Sequence, residues 1–115
     1  MPYLSIQTNT ALSEQMRDEL LGAASKIVAS QLGKPETYVM AGLAPMQRML
    51  FAGANDPTAF LELRSIGIPD SKRNSLSAAL TDLVAQSCKI KPDRIFIVLA
   101  DVQARFWGQS GAMLG

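Results

Sequence analysis

The chain has no histidine and only one cysteine among its 115 residues. The absence of histidine excludes a His-based catalytic triad, metal ligation by imidazole and a histidine proton shuttle. The single cysteine, Cys88, excludes an internal disulfide and any CxxC motif. Cys88 follows Val84 and Leu80 at helical spacing, which is more typical of an unreactive core thiol than of a catalytic one.

The chain also has a small net charge and no long apolar run. Eleven basic and ten acidic residues give a formal net charge of +1, which argues against a surface that binds polyanions through bulk charge. The longest purely apolar run, residues 95–100, is far shorter than the roughly 18 residues that span a bilayer. The start of the chain lacks the basic region and apolar run of a secretory signal. We expect a soluble cytoplasmic protein that binds neither nucleic acid nor membrane, with secretion only by a route that needs no signal peptide.

The composition is that of a globular chain, with 48% apolar and 18% charged residues. Its length fits a single domain, which we place over residues 1–115. A domain of this size buries only about two thirds of its unfolded surface. Self-association is therefore a natural way to bury more.

The chain repeats itself at an offset of 57 residues, because Lys34-Pro35 and an acidic residue recur as Lys91-Pro92 and an acidic residue. Proline ends a helix and biases the preceding residue towards extended geometry, so each copy predicts a change from helix to strand. Upstream of each copy lie apolar residues at helical spacing and, before those, alternating polar and apolar residues. The pseudo-repeats cover about residues 2–43 and 59–100.

Local signals mark the ends of the two predicted helices, which cover residues 13–32 and 70–89. For the first helix, Ser13 is the expected N-cap and Gly33 the expected residue just after its end. For the second helix, Asp70 or Ser71 is the expected cap.

Two strand-helix-strand units of this length are normally right-handed parallel units. Together they predict an α+β, two-layer fold, with a four-stranded sheet and both helices on one face. Residues 44–57 contain turn-forming residues and join the units, and residues 49–51 are expected to add a short strand. The strand over residues 95–99 is apolar on both faces, which predicts that it is covered on both sides.

Two helices leave the second face of this sheet uncovered. A large exposed apolar patch marks an interface. The candidates for that face or its edges are Tyr3, Phe51, Phe60, Phe96 and Val98. The pattern predicts an oligomer whose subunits press their sheet faces inward, and the alternative is that these residues simply face water.

The most unusual chemical group is at the chain start, where Met1 precedes Pro2. Initiator methionine is generally removed before small residues, so we expect the mature chain to begin with a prolyl amine. A free α-amino group has a pKa of about 7.7–8.0, and burial or a nearby cation lowers that pKa. Such an amine can act as a base or nucleophile in a chain without histidine. The alternative interpretation is that Pro2 merely begins an edge strand, where proline is tolerated.

Several short motifs occur in order along nearly the whole chain: Met1-Pro2, Thr8-Asn9, Gly33-Lys34-Pro35, Ser65-Ile66-Gly67 and Pro92-Asp93-Arg94. As a set they resemble the macrophage migration inhibitory factor family of the tautomerase superfamily. The resemblance implies the duplicated fold described above, assembled as a homotrimer whose three sheets enclose a central channel. It also implies a cofactor-independent isomerase that interconverts keto and enol forms of phenylpyruvate-type 2-keto acids and D-dopachrome analogues.

The resemblance assigns roles to several residues. The nitrogen of Pro2 is implied to be the catalytic base, and the Lys34 cation to bind the substrate carboxylate and to keep the amine uncharged. The backbone N–H of Ile66 is implied to contact a substrate oxygen, with Ser65 and Gly67 shaping that turn. Judged from spacing alone, Lys34 is a solvated residue beyond a helix end.

Some positions depart from the family pattern. Phe96 and Val98 stand where the founding member has a tyrosine and an asparagine, and both positions are implied to reach the site of the neighbouring subunit. The pocket then keeps an aromatic wall but loses a hydroxyl. Thr58 and Leu61 occupy the positions of the family's CxxC, so cysteine-based redox activity is not expected.

Three further aromatic residues are assigned to substrate binding: Tyr3, Phe106 and Trp107. The segment Phe106-Trp107-Gly108 resembles the family's apolar segment at the pocket rim, with the order of Trp and Gly inverted. The alternative for Phe106 and Trp107 is packing at a subunit interface.

Two other functions stay open. The first is a cytokine-like signalling or binding protein with a vestigial pocket, whose receptor is unknown. The second is a ferredoxin-like regulatory or RNA-binding module that shares only the layout, because fold does not fix function. The near-neutral charge and the lack of an aromatic-basic strand motif weigh against RNA.

Overall fold

A computed structural model describes residues 1–115 as a four-stranded mixed sheet with two helices on one face. The elements are β1 (Pro2–Thr8), α1 (Glu14–Leu32), β2 (Met40–Ala44), β3 (Ala59–Ile66), α2 (Arg73–Cys88), β4 (Ile95–Val102) and a C-terminal hairpin of β5 (Gly108–Gln109) and β6 (Ala112–Met113). The sheet order is β2-β1-β3-β4, with parallel outer pairs and an antiparallel central pair. The predicted fold class is confirmed. Neither helix combines the length and apolar character needed to cross a bilayer.

The core lies between the sheet and the two helices. Alternate residues of β1 and β3 point towards the helices and are buried. The helices contribute residues at helical spacing, among them Leu20 and Val28 of α1 and Leu80 and Cys88 of α2. Burial raises the pKa of the Cys88 thiol. The predicted core position of Cys88 is confirmed.

The two helices begin differently. The Ser13 side chain accepts a hydrogen bond from the backbone N–H of Met16 at 3.2 Å, which confirms the predicted N-cap of α1. The prediction that Asp70 or Ser71 caps α2 is wrong, because a 3₁₀ turn over Asp70–Lys72 leads directly into a helix that begins at Arg73. No extended residue precedes α2 to offer a side-chain cap, and the N–H of Lys72 is satisfied by the carbonyl of Pro69 instead.

The segment between the two halves is held by an arginine rather than by strand pairing. The expected short strand over residues 49–51 is wrong, since Phe51 forms only an isolated bridge with Ala54. The Arg94 guanidinium lies over the Phe51 ring and donates hydrogen bonds of 3.0–3.2 Å to four backbone carbonyls, those of Phe51, Ala54, Asp56 and Pro57.

The face of the sheet opposite the helices carries the predicted apolar residues. Phe60 is 39% exposed, Phe96 46% and Val98 42%, and Tyr3 belongs to the same face. Phe51 packs edge-on against Phe96, with ring centroids 4.9 Å apart. The prediction that β4 is covered on both sides is therefore wrong within one chain, because both helices lie on the other face.

The end of α1 fixes the direction in which the next residue projects. Gly33 has a φ of +63°, which is left-handed backbone, and its N–H donates to the carbonyl of Ser30. The N–H of Lys34 donates to the carbonyl of Ala29 at 3.0 Å. This pair of bonds is a Schellman motif, which ends the helix and places Lys34 at a defined position.

Gly33→Ala is expected to lower the free energy of unfolding by about 1 kcal/mol, because a Cβ is disfavoured in left-handed backbone. Gly22→Ala is the matched control, since Gly22 lies inside α1 with open space around it. That control should raise the free energy of unfolding by about 0.5–1 kcal/mol. Urea unfolding of both variants measures the difference, and equal shifts of the same sign would contradict the Schellman assignment.

Candidate active site

The chain start, the residue after α1 and the end of β3 meet at one end of the sheet. The Lys34 Nζ donates to the carbonyl oxygen of Ile66 at 2.6 Å and to the Ser65 Oγ at 3.3 Å. Pro2 is paired with Ser65 across β1 and β3, and both are fully buried. Four of the predicted site residues therefore lie together, although they come from three separate segments of the chain.

The amine at the chain start has a perturbed environment. The α-amino group, here carried by Met1, has its pKa lowered from the ordinary value by burial first, then by the positive charge of Lys34 and by a hydrogen bond with its side chain. Both burial and a nearby cation disfavour the protonated form of an amine. This end of the molecule therefore shifts the amine towards its uncharged form.

A tight turn follows β3 and is held from the neighbouring strand. Gly67 has a φ of +76°, and the Asp101 Oδ1 accepts hydrogen bonds from the N–H groups of Gly67 at 2.9 Å and Ile68 at 3.2 Å. Asp101 lies on β4 directly opposite Ser65. The sequence analysis missed Asp101, although its position as the first charged residue after the apolar run 95–100 was a usable signal.

The direction of the Ile66 backbone follows from the lysine contact. The N–H and the C=O of one strand residue point to the same side of the strand. Because the Ile66 carbonyl points to Lys34, its N–H faces the same side. A backbone donor and an ammonium group thus lie on the side of β3 that borders the chain start.

A cavity of about 380 Å³ opens at the chain start. Its lining includes Met1, Pro2 and the aromatic side chains of Tyr3, Tyr38 and Trp107. Tyr38 ends the 3₁₀ turn that follows Lys34-Pro35, and the sequence analysis did not include it. The combination of an apolar wall, an amine and few polar groups suits a small aromatic ligand.

The C-terminal segment brings Trp107 to this cavity. A 3₁₀ turn over Ala104–Phe106 precedes the β5–β6 hairpin, whose two loop residues, Ser110 and Gly111, both have positive φ. The N–H of Leu114 donates to the Trp107 carbonyl at 2.9 Å. This hairpin was not predicted, and the pair Ser110-Gly111 was the available signal for its turn.

A second cavity of about 470 Å³ adjoins the first. Four residues line both: Tyr3, Met40, Trp107 and Gly108. The second cavity is also lined by Arg64, Val102 and Phe106. Phe106 therefore does not line the cavity at Pro2. A larger cavity of about 520 Å³ lies at the opposite end of the sheet, around Asn9 and Arg48, and contains none of the predicted site residues.

Phe96 and Val98 do not reach the Pro2 cavity within the same chain. Phe96 is paired with Phe60, which is paired with Gln7 of β1. Gln7 is five residues from Pro2, which is roughly 17 Å along an extended strand. These two residues line neither of the cavities near Pro2.

The chain start carries an amine whose pKa is lowered, beside an ammonium group and a backbone donor. It borders an aromatic cavity that neither Lys34 nor Ile66 lines. These groups can bind a carboxylate and move a proton on a bound ligand. No group of three or more His, Cys, Asp or Glu side chains is arranged to bind a metal ion.

The fold and the chain-start site together define a small protein of the tautomerase fold, whose structural neighbours share its two helices and four-stranded mixed sheet. The family described as "Macrophage migration inhibitory factor (MIF)" matches residues 1–115. The chain belongs to this family.

The similarity to known proteins extends over the whole chain. The macrophage migration inhibitory factor homolog of Brugia malayi is 37% identical over 116 residues, which is 100% of each chain. The macrophage migration inhibitory factor of Meriones unguiculatus is 34% identical over 97% of each chain. The crystal structure of the homologue from Prochlorococcus marinus has a TM-score of 0.93 and 35% identity, and the match covers 98% of this chain and 99% of that one.

Proposed function

We propose that this protein is a cofactor-independent keto–enol tautomerase for phenylpyruvate-like 2-keto acids, with the Pro2 amine as its general base after removal of Met1. Membership of the family supports a tautomerase-type or a cytokine-like function. The observation that carries the proposal is the Lys34 ammonium held beside the chain start by Ser65 and Ile66. After burial, this ammonium is the next cause of the lowered pKa of the α-amino group that Met1 carries.

Each group has a role in the proton transfer. In the enolisation direction the uncharged Pro2 nitrogen takes a proton from the carbon next to the ketone. The electron pair of that C–H bond forms the carbon–carbon double bond, and the carbonyl electrons move to oxygen. The oxygen then receives the proton back from the Pro2 ammonium, which restores the uncharged base. The N–H of Ile66 donates to this developing oxyanion, because a fixed backbone donor stabilises charge that appears in the transition state. The Lys34 ammonium binds the substrate carboxylate.

The active assembly in this proposal is a homotrimer. Phe96 and Val98 are exposed on the open face and line neither cavity near Pro2 of their own chain. A neighbouring subunit packed on the open face would bury them and bring them to a second chain's cavity. Phe96 then supplies an aromatic wall, supported from behind by Phe51.

A cytokine-like role is the second candidate, because relatives such as the Meriones unguiculatus protein carry the name macrophage migration inhibitory factor. The receptor is unknown, and the pocket would then be vestigial. A Pro2 variant without tautomerase activity that keeps the full biological effect would favour this second function.

The direct test of the first function is an assay of purified protein with phenylpyruvate. Keto–enol exchange followed by ultraviolet absorbance should be faster than in buffer alone, without added metal or cofactor. Exchange at the buffer rate by protein shown to lack Met1 would contradict the proposal.

A further inference from the structure

A guanidinium group stands on the open face of the sheet beside the candidate site. Arg64 lies directly opposite Tyr3 in the pairing of β1 with β3, so their side chains are neighbours on one face. Arg64 lines the 470 Å³ cavity, which shares four lining residues with the 380 Å³ cavity at Pro2. A single elongated ligand can therefore extend from Pro2 to Arg64.

Most of the hydrogen-bonding capacity of Arg64 is unused. Its Nε and Nη2 both contact the same oxygen, Oε1 of Glu62, at 2.8 and 2.7 Å. These are the only protein hydrogen bonds that the side chain makes, although a guanidinium carries five N–H donors. In the single chain the Arg64 side chain is 56% exposed, and exposed ion pairs contribute only about 0–1 kcal/mol. A ligand carboxylate can replace or join Glu62 at little cost.

The wall shared by the two cavities is aromatic. Tyr3 and Trp107 line both the cavity at Pro2 and the cavity at Arg64, whereas Lys34 lines neither. The two aromatic side chains offer apolar surface to a ring placed between Pro2 and Arg64.

We propose that Arg64 forms a second anion-binding subsite, and that the preferred substrates are aromatic 2-keto acids with a second carboxylate on the far end of the ring. The inference rests on the proposed tautomerase function for the first carboxylate, which Lys34 binds. The planar guanidinium matches a carboxylate through two parallel hydrogen bonds. An aromatic ring between the two carboxylates packs against the residues that line both cavities.

The kinetic test compares phenylpyruvate with 4-carboxyphenylpyruvate. The wild type should have the higher kcat/KM for the diacid, and Arg64→Gln should reduce the ratio of the two kcat/KM values by at least about tenfold, because a charge-assisted hydrogen bond is lost. Arg64→Lys keeps the positive charge but not the planar pair of N–H donors. The ratio of the two kcat/KM values should therefore fall less than in Arg64→Gln. An unchanged ratio in Arg64→Gln would overturn the proposal.

The matched control is Arg73→Gln. Arg73 begins α2, is 68% exposed and is loosely paired with Asp70 at 3.7 Å, and it lines neither cavity. Both kcat/KM values should stay within about twofold of the wild type, since the change removes the same charge without touching the site. A fall in the ratio as large as that of Arg64→Gln would show a bulk charge effect and contradict the subsite.

A binding measurement separates this subsite from the proposed catalysis. Calorimetry with two unreactive ligands, 4-carboxyphenylacetate and phenylacetate, needs no turnover. Tighter binding of the diacid that is lost in Arg64→Gln supports the subsite, even in a protein that does not tautomerise phenylpyruvate. Normal turnover of phenylpyruvate with equal binding of the two ligands overturns the subsite and leaves the proposed function standing. Circular dichroism of each variant checks that it is folded.

Discussion

Replacing Pro2 with glycine is expected to lower kcat/KM for phenylpyruvate tautomerisation by about 100-fold or more, the range typical of a positioned general base. Glycine still provides an amine at the chain start, primary instead of secondary, but loses the ring that holds the nitrogen in place. Pro2 is fully buried at the start of β1, so the ring packing that fixes the direction of the nitrogen disappears with it. Initial rates over a range of phenylpyruvate concentrations measure the change.

Pro92→Gly is the matched control for this experiment. Pro92 is exposed in the 3₁₀ turn that precedes β4, at the end of the sheet opposite Pro2. The control should keep wild-type kcat/KM, and circular dichroism should show both variants folded. Activity of Pro2→Gly within about threefold of the wild type would remove Pro2 from the catalytic role.

Replacing Lys34 with methionine is expected to move the pH dependence of kcat/KM to higher pH. The base must be unprotonated to accept a proton, so activity rises as pH passes the pKa of the amine. Lys34 is the second cause, after burial, of the lowered pKa at the chain start. Loss of its charge raises that pKa, and the ascending limb moves in the same direction. The KM for phenylpyruvate should also rise by about tenfold or more, because a charge-assisted contact with the carboxylate is lost.

The chain supplies its own control for this variant. Lys91 occupies the corresponding place in the second half, before Pro92, where it is exposed and its side chain makes no hydrogen bond. Lys91→Met removes the same charge without affecting the site, so the pH profile and KM should stay as in the wild type. An ascending limb that stays in place in Lys34→Met, or that moves equally in both variants, would contradict the proposed role of Lys34.

The main elements could be predicted because local signals agree with the tertiary fold. The Lys-Pro pairs, the apolar helix faces and the alternation in the strands all point to the same order of elements. The prediction failed in two places. Phe51 is held by the Arg94 guanidinium from 43 residues away, and a local 3₁₀ turn over Asp70–Lys72 replaces a side-chain cap of α2. Neither event leaves a periodic pattern in the sequence.

The candidate site was only partly predictable for a related reason. The contact of Lys34 with Ile66 joins positions 32 residues apart, so spacing alone indicated only a solvated lysine, and the family resemblance supplied the role. Asp101 and Arg64 reach the site from positions paired with Ser65 and Tyr3, and cross-strand pairing is known only once the register is known.

The most direct measurement is the pKa of the Pro2 nitrogen itself, followed by nuclear magnetic resonance of protein labelled with [¹⁵N]proline. A secondary amine that titrates below about 7.7–8.0, the range of an unperturbed α-amino group, is the predicted result, and the titration should move upward in Lys34→Met. A nitrogen that titrates at or above that range would contradict the uncharged base. So would a nitrogen that does not titrate at all, because Met1 remains attached to it as an amide.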